Sequence, residues 1–391
     1  VVRSGCDPLC SPLALNLSTI DAEPIDSMTS LRYAIVGCGM MGHEHIRNLQ
    51  LIEGCEVAAL FDTDSAMAAS AQRSAPVARL AASLDDLLEM DGLDAIVLAT
   101  PNFRHAEHLR HIASRRTIPL LVEKPLVTDP GDRELIDALE RDYAAPIQVA
   151  MEYRYMPPLQ RFLAEVESIT GGIRHLSIRE HRFPFLKKVD HWNRFNDRSG
   201  GTLVEKCCHF FDLMRLMIGA EPRRVMASGW QAVNHLDEAY DGRTPDIWDA
   251  AFAIVEFDDD TRAMLDLCMF AEGADYQEEI VAVGPAGRID CLVPFAPSHW
   301  PNDLGVRPQP RVVIRSRDRR KREDILVPVD ARLDDAGSHH GSTYFQHLKF
   351  RDVLLGKQAP EVTLRDGWRA VAIGIAAQES SATGMAVEPL L

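Results

Sequence analysis

An α/β fold is predicted for this chain: a doubly wound parallel sheet followed by a second α+β domain built on a large, mostly antiparallel open sheet. Three observations lead there. A glycine-rich turn, "GCGMMG", stands between an apolar strand and a helix near residue 37. Apolar strand-like runs then alternate with helical segments as far as residue 150, the pattern of a parallel sheet. Beyond about residue 155, runs such as "DAAFAIVEF" and "TRAMLDLCMF" alternate with period two, as in antiparallel strands covered on one face.

The elements follow in order. "LRYAIVGCGMMGHEHIRNLQ" reads as strand, turn and helix, and "EVAALFD" as a second buried strand ending at Asp62. "SLDDLLEMDGLDAIVLATP" holds a short helix with Ser83 as N-cap, then a strand over Ala95–Ala99. "HAEHLRHIAS" is helical, "PLLVEKP" a strand, "DPGDRELIDALERDY" a helix, and "PIQVAMEYRY" closes the series. A helix around Leu159–Glu167 leads into the second domain. Strands are expected there at Arg174–Glu180, Arg224–Trp230, Ala250–Phe257, Ala263–Met269, Glu278–Val283, Gly287–Leu292, Arg311–Arg315 and Asp324–Val327. "GGTLVEKCCHFFDLMRLMIG", residues 200–219, reads as one helix that is apolar on nearly every side and hence buried. Two helices end the chain, one with Ser342 as N-cap and one within "LRDGWRAVAIGIAAQES". The basic cluster "RSRDRRKR" at 315–322 falls between two strands and is read as a solvated hairpin tip. The domain division expected is 1–30 as a mobile tail, 31–152 as the Rossmann domain and 153–391 as a substrate-binding and oligomerisation domain.

Composition narrows the function. A formal charge of −16 over 391 residues argues against nucleic acid and anionic membranes, which would repel such a surface. No run approaches the roughly 18 apolar residues of a membrane span. The apolar piece around Leu13–Leu17 lacks the basic flank of a signal peptide. Eight cysteines show neither a paired framework nor a zinc spacing, so no metal is expected and a reducing cytoplasm fits.

In the turn, Gly37 permits the tight bend, Gly39 lets backbone approach a pyrophosphate, and Gly42 allows helix–strand contact. Met40 and Met41 open the helix whose N-terminus would face the phosphates. About 20 residues on, Asp62 ends a strand, where it would accept hydrogen bonds from both adenosine ribose hydroxyls and oppose a 2′-phosphate. NAD is therefore favoured over NADP. Thr100, Pro101 and Asn102 end a later strand at the carboxyl edge, where ligands of such sheets collect, although a plain proline turn is the alternative.

"AIVGCGMMG", "ATPNFRHAEH", "LLVEKPL", "GGTLVEKCCHFFDLM" and "GSTYFQHLKFRDVLLGKQAPEVTLRDG", in this order, resemble the glucose–fructose oxidoreductase/inositol dehydrogenase (Gfo/Idh/MocA) family over essentially residues 31–391. The resemblance implies a Rossmann domain plus an open-sheet domain used for homodimer or homotetramer contacts. It also implies a tightly held nicotinamide cofactor and a sugar, polyol or cyclitol substrate. It makes Glu123 a cofactor-contacting carboxylate and Lys124 a catalytic lysine, and it places His105 at the cofactor. The family's Asp-x-Gly-x-His dyad falls on Glu205, Cys207 and His209, with Glu for Asp and Cys for Gly.

On a continuous helix, residues four apart share a face, so Glu205 is expected to orient His209, with Asp212 as a competing orienter. His209 would be the general base and Lys124 would stabilise the developing alkoxide. Trp192, in a polar loop feeding that helix, is a candidate for stacking on a sugar face. Arg154 and Tyr155 match a family position near the pocket, and His340 precedes a helix start; all three are candidate substrate contacts. The expected activity is oxidation of a ring secondary alcohol of an inositol-like or pyranoside substrate to a ketone. Two alternatives stay open: glycoside cleavage by transient oxidation and elimination, and a non-catalytic sugar or NAD sensor.

Overall fold

A computed structural model describes residues 30–301 and 303–391. The expected mobile tail lies, but for residue 30, outside the described residues.

Six parallel strands form the first sheet: β1 (Leu31–Val36), β2 (Cys55–Phe61), β3 (Arg79–Leu80), β4 (Ala95–Leu98), β5 (Leu120–Glu123) and β6 (Ile147–Ala150). Their order is β3-β2-β1-β4-β5-β6, the doubly wound arrangement, with the crevice where the order reverses at β1. Every strand but the two-residue β3 was legible as an apolar run. Successive residues of β1 serve opposite faces. Tyr33 and Ile35 pack with Ile46 and Leu49 of the helix Met40–Gln50, while Ala34 and Val36 pack with Leu109 and Ile112 of the helix His105–Arg115. Ser83 caps the short helix Leu84–Leu88 by accepting the Asp86 N–H at 3.0 Å, as expected.

The second sheet has eight strands: β7 (His175–His181), β8 (Pro222–Trp230), β9 (Ala250–Phe257), β10 (Arg262–Cys268), β11 (Glu278–Val283), β12 (Gly287–Val293), β13 (Arg311–Ser316) and β14 (Arg322–Leu326). Their order is β14-β13-β12-β11-β7-β10-β9-β8, and all neighbours are antiparallel except β7 and β10. One face packs on the helices Pro157–Thr170 and Cys208–Ile218 through Phe162, Phe210 and Phe211. On the other face Phe252, Ile254 and Trp230 are exposed. The basic cluster caps the β13–β14 hairpin with Arg317, Arg319, Arg320 and Lys321 in solvent, as expected.

Two departures bear on the site. Residues 200–219 form two helices, Thr202–Glu205 and Cys208–Ile218, with a break at Lys206-Cys207. Ser342 is not the N-cap; Gly341 is, at φ 78°, a left-handed conformation that glycine adopts without strain.

The last helix, Leu364–Thr383, belongs to both cores. Trp368 and Val371 pack beneath the first sheet, while Ile373 and Ala377 join the core of the second. Its start is fixed by a capping box between Thr363 and Asp366. It approaches the helix Thr202–Glu205 so closely that a Cβ on Gly374 would lie 2.6 Å from the Leu203 carbonyl oxygen. No described helix is long and apolar enough to cross a membrane. Gly374→Val should therefore lower stability by about 1–3 kcal/mol, the range for overpacked cores, read as a lower urea midpoint at unchanged slope.

Candidate active site

The glycine turn fits a dinucleotide. A Cβ on Gly37 would lie 2.5 Å from the Ala99 carbonyl oxygen, and one on Gly42 would lie 2.2 Å from the Gly37 carbonyl oxygen. Gly39 faces open space, and the helix it introduces has no side-chain cap on its first turn, leaving free N–H groups beside that space. Asp62 stands at the end of β2, its carboxylate held from both sides. One oxygen accepts the Cys38 N–H at 2.7 Å and the other the Asp64 N–H at 2.8 Å. Met40 and Met41 lie at the rim of the turn, exposed and half-exposed.

The ends of β4 and β5 are tied together by His105. Its ring nitrogens lie 2.9 Å from the Pro125 carbonyl oxygen and 3.0 Å from that of Thr100. Asn102 is buried and Pro101 half-buried on this turn. Glu123 is buried at the end of β5, where one oxygen meets His45 Nε2 at 3.0 Å and the other accepts the Lys124 N–H at 3.2 Å. Burial would raise this carboxyl, but His45 and Lys124 hold it below its ordinary value. His45 in turn meets His347 Nε2 at 2.9 Å, a link that no spacing in the sequence announces.

Lys124 points from β5 to the broken helix and donates from Nζ to the Glu205 carbonyl oxygen at 3.1 Å. Glu205 is buried, and its carboxylate faces Lys188 Nζ at 3.4 Å. Burial works against that charge, but Lys124, Lys188 and Lys206 bring the carboxyl down to about 2. Burial would lower Lys124, yet Glu205, Cys208 and Glu123 keep its ammonium above the ordinary lysine value.

His209 opens toward the same charges. Its ring lies flat against Tyr153, centroids 4.1 Å apart and planes 7° from parallel. The Tyr153 hydroxyl is fixed by Lys206 Nζ at 2.6 Å, and Lys206 also pairs with Glu180 at 2.9 Å. Burial, then the charges of Lys124 and Lys206, push His209 well below the usual histidine range, so the imidazole is neutral at neutral pH. Burial likewise pushes the Cys207 thiol far up and Cys208 up to about 12, leaving both as packing residues.

Several expected roles are redistributed. Glu205 does not hydrogen-bond His209, whose Nδ1 is buried without a partner among the described residues. The helix is interrupted at Lys206-Cys207 between the two residues, and Lys188 claims the carboxylate instead. Asp212 does not orient His209 either; it binds Arg154 through two contacts of 2.6 and 2.5 Å. Arg154 is thereby buried, and it also donates to the Glu361 carbonyl at 3.0 Å, so it braces the fold rather than facing a pocket. Tyr155 is buried beside it, its phenol raised by burial and by Glu361. His340 is buried and spends Nε2 on the Pro294 carbonyl at 2.9 Å. Trp192 is buried too, edge-on to Phe103 with Lys188 Nζ 4.7 Å over its ring, so Lys188 rather than a sugar covers that face. Lys188 and Tyr153 are site residues that the sequence did not single out, and Lys206, expected to be structural or at the edge of the cofactor cleft, meets Tyr153 only across the fold.

With this geometry in place, the comparisons with known proteins are decisive. Residues 31–151 match the Gfo/Idh/MocA model described as "oxidoreductase family, NAD-binding Rossmann fold", and residues 167–388 match its "C-terminal alpha/beta domain". The chain belongs to this oxidoreductase family. An inositol 2-dehydrogenase of Arthrobacter sp. (strain FB24) is 33% identical over 199 residues, 49% of this chain and 55% of that protein. The chain thus spans about half the length of the curated inositol dehydrogenases that it matches. An uncharacterized oxidoreductase, YrbE, of Bacillus subtilis (strain 168) is 24% identical over 90% of this chain and 95% of its own. Among solved structures, a myo-inositol 2-dehydrogenase from Lactobacillus plantarum aligns with a TM-score of 0.71 and 20% identity, covering 92% of this chain and all of that one, a likeness of fold.

Two outcomes are expected. Asp62→Ala should relax discrimination between NAD and NADP, measured as the ratio of their dissociation constants; an unchanged ratio would show that Asp62 does not read the ribose. Arg154→Ala should cost about 3–5 kcal/mol of stability by leaving Asp212 buried and unpaired, read by chemical denaturation.

Proposed function

We propose that the protein is an NAD-dependent dehydrogenase that oxidises a ring secondary alcohol of a cyclitol or sugar to a ketone. The observation that carries the reading is the contact between Lys124 and the Glu205 carbonyl, which brings the end of β5 against the helix pair bearing His209. Both lie on the carboxyl side of the parallel sheet, next to the glycine turn, where ligands of such folds collect. The inositol dehydrogenases among its relatives favour a cyclitol.

When bound, NAD supplies the hydride acceptor. The chain's own groups divide the remaining work. His209 is neutral, so it takes the hydroxyl proton as the hydride leaves. Lys124 keeps its proton and so offers positive charge to the oxygen as alkoxide character develops. Glu205 does not touch His209; it balances Lys124 and Lys188, which allows two ammonium groups to share a buried site. Tyr153 fixes the plane of the imidazole by stacking. The Asp62 carboxylate favours NAD over NADP, and the exposed Phe252, Ile254 and Trp230 on the open sheet suit a contact with a second copy.

Incubation with NAD and a panel of inositols and pyranosides should produce NADH; turnover with none of them would sink the substrate class. His209→Ala should cut kcat at least about a hundredfold. The acid limb of kcat/KM should fall below pH 6.5, because His209 must be neutral to act and its pKa is depressed from that value. A limb above pH 6.5 would assign the base to another group.

A further inference from the structure

Buried carboxylates in this chain commonly face a cation: Arg154 for Asp212, Lys206 for Glu180, Lys188 for Glu205. Glu44 and Glu152 are as deeply buried, at 4% and 2% exposure, and among the described residues neither forms an ion pair with any lysine or arginine. Glu44 comes from the helix Met40–Gln50 and Glu152 from the turn after β6. They share a single imidazole: His339 Nδ1 lies 3.1 Å from Glu152 Oε1 and 3.6 Å from Glu44 Oε1. They also share a single hydroxyl, since Thr343 Oγ1 lies 2.8 Å from Glu44 Oε1 and 2.7 Å from Glu152 Oε2. One ring N–H and one hydroxyl hydrogen therefore face four short approaches by carboxylate oxygens. Buried charges of this kind are normally paired or coordinate a metal.

We propose that Glu44, Glu152 and His339 form a binding site for a divalent first-row transition ion, Zn²⁺ or Mn²⁺. One ligand atom from each lies within 4.8 Å of the others, so small side-chain rotations bring all three to the roughly 2.0–2.2 Å bond lengths of such ions. An imidazole mixed with carboxylates selects these ions over Mg²⁺ and Ca²⁺, which take oxygen donors. Thr343 then gives its hydrogen to a ligating carboxylate, holding it from behind. The loop backbone closes on the same group: a Cβ on Gly337 would lie 2.4 Å from Glu44 Oε1. The His339 side chain is 22% exposed although its Nδ1 is buried among the carboxylates.

The site is separate from the groups given chemical roles above. The His339 ring lies 5.5 Å from Tyr153, on which His209 stacks, so the ion would sit behind the imidazole's support. It would fasten the loop before the helix Ser342–Leu354 to two segments of the first sheet's domain. The proposal stands whether or not the dehydrogenase reading does. No metal was expected from the sequence, because its ligands come from three distant segments with no recognisable spacing.

The test uses the full chain stripped with a chelator and titrated calorimetrically with Zn²⁺ and, separately, Mn²⁺. One ion per chain should bind and raise the thermal midpoint. Glu152→Gln and His339→Asn should each weaken binding at least about a hundredfold, more than the loss of an outer partner costs. His339→Asn is partly exposed and tests the site even if Glu152→Gln fails to fold. X-ray absorption on the Zn²⁺ form should show only nitrogen and oxygen neighbours, with imidazole scattering. Absence of binding, equal affinity in both variants, or a sulfur shell from the cysteines would each overturn the proposal.

Discussion

The structure turns on the meeting of Lys124, Lys188 and Glu205. Two ammonium groups and one carboxylate occupy a site that burial makes hostile to any of them alone. Lys124 spends a hydrogen bond on the main-chain carbonyl of Glu205, which joins the edge of the parallel sheet to a helix of the other half of the chain. Backbone irregularities flank the cluster. Gly200 and Gly201, both at positive φ, bring the chain in sharply, and the helix breaks directly after Glu205.

Charge and neutrality are thereby sorted among neighbours. Burial first, and then Lys124 and Lys206, which also hold Glu205 in its ionised form, drive the nearby imidazole to its neutral one. Environments that push titratable groups apart are the usual means by which one site hosts both an acid-like and a base-like partner. Here Lys124 and Lys206 act on both sides of the division.

The fold was readily legible because its signals are local. Apolar runs of strand length, the glycine turn with Asp62 downstream, and Ser83 before a short helix each need only a few residues of context. The site was legible only where it follows the same rule. Lys124 and His209 could be singled out, but their partners could not, since spacing assumes a helix that continues through Lys206-Cys207. Arg154 illustrates the other limit. A charged residue after a sheet strand looks like a ligand contact, and only the position of Asp212 in space makes it a brace. His340 and Trp192 were expected as substrate contacts, yet a backbone carbonyl and a lysine have already claimed them.

The final helix makes the two halves of the chain depend on each other. Because Trp368 and Val371 complete one core while Ile373 and Ala377 complete the other, the dinucleotide-binding half has no clean seam at which to be detached. Cutting near residue 152 would strip an apolar underside bare and leave its cover on the wrong fragment. A nucleotide module expressed without the final helix should therefore be prone to association through the exposed underside.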